Sequence, residues 1–96
     1  MKCCSYKIGR IVEIMDTGDN RYKLVTIAKD PNDIYTFTRL VVSDETLILN
    51  CKYNEIAVND LNLGDLVVAY HSNIMTMSIP PQTSAYIIKV KSNSIC

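Results

Sequence analysis

Tryptophan is absent from this chain, and 96 residues hold only one histidine, one phenylalanine, three glycines and three prolines. Each scarcity excludes something. With so few glycines there is no glycine-rich loop to cradle a phosphate and no G-x-S-x-G elbow to present a nucleophile. No H-E-x-x-H pair is present to hold a catalytic zinc. No apolar run approaches the ~18 residues that a membrane span needs. The opening residues, MKCCSYKIGR, lack the apolar stretch of a secretory signal, and no small-residue cleavage site follows. On that reading the chain is expected in the cytoplasm.

Net charge is missing as well. Ten basic and ten acidic side chains cancel, so no global field draws in a polyanion or a membrane surface. The charges are unevenly spread: residues 1–29 hold six basic and three acidic groups, and residues 30–65 hold seven acidic and two basic. Scattered solvated charge is the simplest reading, with a weakly basic side facing an acidic side as the alternative. The four cysteines, Cys3, Cys4, Cys51 and Cys96, show no C-x-x-C or C-x-x-H spacing of a zinc site. Free thiols in a reducing compartment are expected, with a Cys4–Cys96 bridge as the alternative if the first and last strands end close together.

What is present is a chain of strand formers. A hydrophobic share of 48% with 21% charged residues places it among globular domains rather than disordered chains, and its length suits one core. Runs rich in Val, Ile, Thr and Tyr lie between turn signals. Lys7 to Met15 and Arg21 to Lys29 read as two strands joined by a turn at Asp16-Thr17-Gly18-Asp19-Asn20. Asp30-Pro31-Asn32-Asp33 turns the chain again, proline being pre-set for the second position of a type I turn. Ile34 to Val42 and Thr46 to Asn50 read as one long bent strand or two short ones separated by a bulge. A helical turn capped by Asn59 is expected over Asn59 to Asn62. Two strands follow, Leu66 to His71 and Ser84 to Lys91. In the last, Tyr86, Ile88 and Val90 are assigned to one face, with Ile87, Lys89 and Lys91 on the other.

The fold expected is therefore all-β: a small five- to six-stranded barrel, closed because closure removes exposed strand edges, with one short helical turn before the strand at Leu66. Residues 7–91 form the domain, with flexible tails at 1–6 and 92–96. This order of elements matches the oligonucleotide/oligosaccharide-binding (OB) barrel.

Two stretches carry a further resemblance. Val41 to Ile48, followed by Asp60 to Val68, resembles the pattern of bacterial OB-like domains in which V-x-x-x-T-x-I leads to D-L-x-x-G-D-x-V. Met75-Thr76-Met77-Ser78-Ile79-Pro80-Pro81-Gln82, with Ala85 and Ile88 after it, is similar to the M-T-x-S-I-P-P-Q-x-x-A-x-x-I ending of small uncharacterised domains in Firmicutes. There such domains can accompany cell-surface segments, including the repeat named after the amine oxidase N-terminal domain. The resemblance spans roughly residues 8 to 91 and implies a fold without an activity to transfer.

Three functional readings compete for the chemistry-bearing residues. His71, Met75 and Met77 are ligand types for soft Cu(I), but the set is too sparse for a specific site, and no metal or other cofactor is expected. Arg21, Tyr22, Lys23, Tyr35 and Phe37 supply a small version of the cations and stacking rings that bind single-stranded nucleic acid. Zero net charge and the missing tryptophan weigh against that reading. Paired carboxylates such as Asp30 with Asp33, or Asp44 with Glu45, sit in turns where they cap backbone donors, so no enzyme is expected.

The remaining reading is a non-catalytic binding or assembly module. Pro80-Pro81 stiffens the loop before the last strand, and Met75, Thr76, Met77, Ser78, Ile79, Pro80, Pro81 and Gln82 form its contact surface. A partner protein or a second copy is the expected occupant.

Overall fold

A computed structural model describes residues 4–18 and 21–92. Six strands run in the order β1 (Ser5–Asp16), β2 (Tyr22–Ala28), β3 (Phe37–Ser43), β4 (Leu47–Leu49), β5 (Leu66–His71) and β6 (Gln82–Ser92). Single 3-10 turns occupy Ile34–Thr36 and Val58–Asp60. The molecule is all-β, with its second helical turn ahead of the penultimate strand.

The strands close on themselves. β1 pairs antiparallel with β2 and β5, β2 with β3, and β5 with β6. β6 then runs parallel to β3 at Arg39↔Gln82 through Val41↔Ser84, which completes a ring. β4 lies farther along the same edge of β6, parallel to it from Leu47↔Ile87 to Leu49↔Lys89. β3 and β4 are thus two stretches of one bent path. Six residues of advance on that path, Val41 to Leu47, match three on β6, Ser84 to Ile87, and the surplus is taken up by the turn at Ser43–Thr46. Thr46 pins the bend: its hydroxyl donates to the Ala85 carbonyl at 2.8 Å and accepts from the Ser43 N–H at 3.1 Å.

Alternation places the core. β3 and β5 bury every second residue, so Leu40 and Val42 from one and Val67 and Ala69 from the other face inward. Ile11, Val25, Ile27, Ile48, Ala85, Ile88 and Val90 complete the interior, and Leu61 joins it with Ile56 and Val58 packed alongside. β1 serves both halves of the ring. Its residues Ser5 to Arg10 pair with β5 and Arg10 to Asp16 with β2, with a bulge after Ile11. At the changeover Gly9 lies against Ala28, whose carbonyl oxygen is only 2.8 Å from where a Cβ on Gly9 would sit. A residue without a side chain is needed for that approach.

Several expectations shift. Ile34 does not begin a strand: Asp33 Oδ1 accepts from the Tyr35 N–H at 3.0 Å, caps a 3-10 turn, and delays β3 to Phe37. Asn59 is not a cap but lies inside the second turn, where the Asp60 carboxylate accepts from the Ala57 N–H at 3.0 Å. Tyr86 does not share a face with Ile88 and Val90. A register shift between Tyr70 and His71, opposite Ile87 and Ala85, changes the phase of β6, so Ala85 is buried and Tyr86 is exposed. β1 starts at Ser5 and β6 reaches Ser92, inside the segments expected as tails; residues 1–3 and 93–96 of those tails lie outside the described residues. Cys51 is disulfide-bonded, which corrects the expectation of a free thiol there. The suggested Cys4–Cys96 bridge is not formed, since Cys4 is not disulfide-bonded.

Candidate functional site

The loop between β5 and β6, residues 72–81, projects three large apolar side chains into solvent. Ile74 is 83% exposed, Met77 100% and Ile79 65%, whereas Met75, Pro80, Pro81 and Gln82 are half-buried. Its polar groups hold the loop itself. The Thr83 hydroxyl donates to the Ser72 and Ile74 carbonyls at 3.0 and 2.9 Å. Thr76 exchanges main-chain and side-chain bonds with Gln82: its N–H donates to the Gln82 carbonyl at 3.0 Å, and its hydroxyl accepts from the Gln82 N–H at 2.9 Å. Ser78 bonds Thr76 at 2.7 Å and donates to the Pro80 carbonyl at 3.0 Å. The Ile79–Pro80 bond is cis. A further bond, from the Arg39 N–H to the Pro81 carbonyl at 2.8 Å, ties the end of the loop to β3.

A shallow depression of about 350 Å³ separates the loop from the sheet, lined by Val41, Ile74, Met75, Thr76, Gln82 and Thr83 among others. The arrangement suits an apolar contact: exposed side chains on a loop tied down by the bonds of Thr76, Ser78 and Thr83.

The structure does not bring His71 and Met77 together. His71 is turned into the barrel, 2% exposed, with Nδ1 2.8 Å from the Ser72 carbonyl and Nε2 without a partner among the described residues. Met77 stands fully in solvent. Among the described residues no cluster of His, Cys, Asp or Glu converges as a metal site.

The proposed nucleic-acid residues are also divided. Tyr22 pairs with Ser43 at one end of the β2–β3 hairpin, and Phe37 pairs with Ala28 at the other, six positions or about 20 Å away along the strands. Arg21 lies over the Tyr22 ring at 5.7 Å. Lys23 donates to Asn59 at 2.9 Å and pairs with Asp16 at 3.1 Å. Tyr35 stands on the first 3-10 turn and Phe37 just after it, half-buried. Arg21, Tyr22 and Lys23 instead border a groove of about 380 Å³ over Val42 and Ile56, where Asp44 and Glu55 set opposite charge beside the two cations.

Surface residues that the sequence reading passed over form a row across four strands. Tyr6, Tyr70, Ile87 and Leu47 are successive cross-strand neighbours on β1, β5, β6 and β4. The rings of Tyr6 and Tyr70 lie 6.0 Å apart at 41°. Tyr53, held at a φ of 66° in the tight Asn50–Asn54 turn, receives Lys89 over its ring at 4.4 Å. Period-two alternation over residues 66–71 contains the outward set of β5, but the alignment of four strands that builds the row is tertiary.

Comparison with protein-family models, with curated proteins and with solved structures finds no match to this chain.

Proposed function

We propose that this chain is a non-catalytic binding module that contacts a partner protein, or a second copy of itself, through the β5–β6 loop. One observation carries the reading: Ile74, Met77 and Ile79 stand in solvent on a loop whose own hydrogen bonds hold it in place, so little conformational entropy remains to be lost on binding. The ring order β1-β2-β3-β6-β5, with β3 parallel to β6, supports an OB-like assignment of the barrel. In OB barrels the loop between the last two strands borders the ligand face. The resemblance to small Firmicutes domains points to the same loop, since Met75 to Gln82 is its most specific part.

Single-stranded nucleic acid on the barrel face is the competing reading. It requires Arg21, Tyr22 and Lys23 to act with Tyr35 and Phe37 across the length of a strand, and Lys23 is already paired. For the compartment, the disulfide at Cys51 favours an oxidising one over the cytoplasm expected from the opening residues.

The test is the solution mass by light scattering at low and high salt, for the wild type and for Met77→Ser with Ile79→Ser. Self-association through this loop predicts a dimer or larger that survives salt and reverts to monomer in the double variant. A wild-type monomer removes the second copy and leaves an outside partner. An oligomer untouched by the double variant sinks the loop as the contact.

A further inference from the structure

The second surface is a strand edge, and it stands independently of the loop. β2 leaves β1 at Ala28, opposite Arg10, and residues 29–36 turn away. From Ser5 to Ile8, β1 is therefore paired with β5 on one side, and no described residue pairs with its backbone on the other. All four residues are exposed, including two large apolar ones, Tyr6 at 64% and Ile8 at 45%. An unpaired edge of this kind is a template for another extended chain.

Beside it lies an opening of about 440 Å³ at the rim of the barrel, lined by Tyr6, Lys7, Ile8, Ile27, Lys29 and Thr38 together with Thr36. Two of these are cations, and none of the described residues lining it is acidic. The nearest carboxylates in sequence, Asp30 and Asp33, accept backbone bonds in their own turn from Asn32 and Tyr35. Alternation decides what faces what. Gly9 and Ile11 are buried inward residues of β1, so Lys7 shares their side, next to Ala69 across the ladder, while Tyr6 and Ile8 face out beside Tyr70 and Val68.

We propose that this edge accepts an extended acidic peptide, added as a strand along Ser5 to Ile8 in the line that β2 abandons at Ala28. Alternate side chains of the peptide have different surroundings. Those facing the barrel rim meet Lys7 and Lys29 and are acidic; those facing outward rest on Tyr6 and Ile8 and are apolar. A second copy is disfavoured as the occupant, because two-fold pairing of this edge brings two Lys7 and two Lys29 ammonium groups into one neighbourhood. The same lysines guard the edge against indiscriminate pairing until a partner neutralises them.

The experiment titrates isotope-labelled protein with an octapeptide of alternating glutamate and valine, following backbone amide shifts. Its controls are a lysine–valine octapeptide and the glutamate–valine peptide N-methylated at alternate residues. The proposal expects shifts at Tyr6, Lys7 and Ile8 with the acidic peptide, weakened about tenfold by Lys7→Glu, which removes one attraction and adds one repulsion. N-methylation, which blocks main-chain pairing, abolishes the shifts, and Met77→Ser with Ile79→Ser leaves them unchanged. No shift at millimolar acidic peptide overturns the proposal. So does equal binding of the lysine peptide or of the methylated one, and neither control depends on any variant folding.

Discussion

The β5–β6 loop and the first four residues of β1 are neighbours, joined by a 2.6 Å bond from the Ser5 hydroxyl to the Asn73 side chain. Both present apolar side chains to solvent. They differ in their backbones: the loop is irregular and tied down through Thr76, Ser78 and Thr83, whereas β1 is an extended strand with one ladder made and one open. The loop offers chiefly its exposed side chains, Ile74, Met77 and Ile79. The edge can offer main-chain hydrogen bonds, which are indifferent to sequence, and needs Lys7 and Lys29 to impose selectivity.

Four variants probe the two surfaces, in falling order of cost. Ile88→Ala opens a cavity in the core that both share, is expected to cost about 2–5 kcal/mol, and should lower the thermal midpoint while weakening both contacts together. Gly9→Ala drives a Cβ into the Ala28 backbone where β1 changes partner, at an expected cost of about 1–3 kcal/mol in denaturant titration. It should loosen the edge before the loop, seen as faster amide exchange at Lys7 and Ile8 than at Thr76. Thr83→Val removes the hydroxyl that holds the Ser72 and Ile74 carbonyls; about 1 kcal/mol is expected, with exchange raised in the loop and unchanged in β1. Met77→Ser with Ile79→Ser touches neither ladder nor core and should stay within about 0.5 kcal/mol of wild type, yet abolish contacts made through the loop. If Gly9→Ala and Thr83→Val instead disturb both regions equally, the comparison fails and the two act as one surface.

Strand content was readable because Val, Ile, Thr and Tyr cluster between turn signals. The bend between Val42 and Leu47 was readable because Ser43-Asp44-Glu45 interrupts an apolar run. Two errors had causes that pattern reading cannot weigh. Asp33 was one of four turn residues in a row, and nothing in their order tells which one caps the next turn. Tyr86 fits strict alternation with Ile88 and Val90; a bulge that inserts one residue is invisible until the partner strand is known.

Of the loop's exposed apolar residues, Met77 and Ile79 were named in advance because prolines and methionines there break the strand pattern. Ile74 was not, and Met75, Pro80, Pro81 and Gln82, named with them, are half-buried. The free edge of β1 could not be named: Tyr6, Lys7 and Ile8 read like any strand, and only the departure of β2 at Ala28 leaves them unpaired.

Sequence alone therefore determined that the chain is all-β, where most strands run, and which loop breaks the strand pattern, since these depend on neighbours a few residues apart. Tertiary structure decided that β6 joins β3 to close the ring and that Lys7 and Lys29 share one rim. Those facts depend on register between distant segments, and a shift of one residue would send each side chain to the other face.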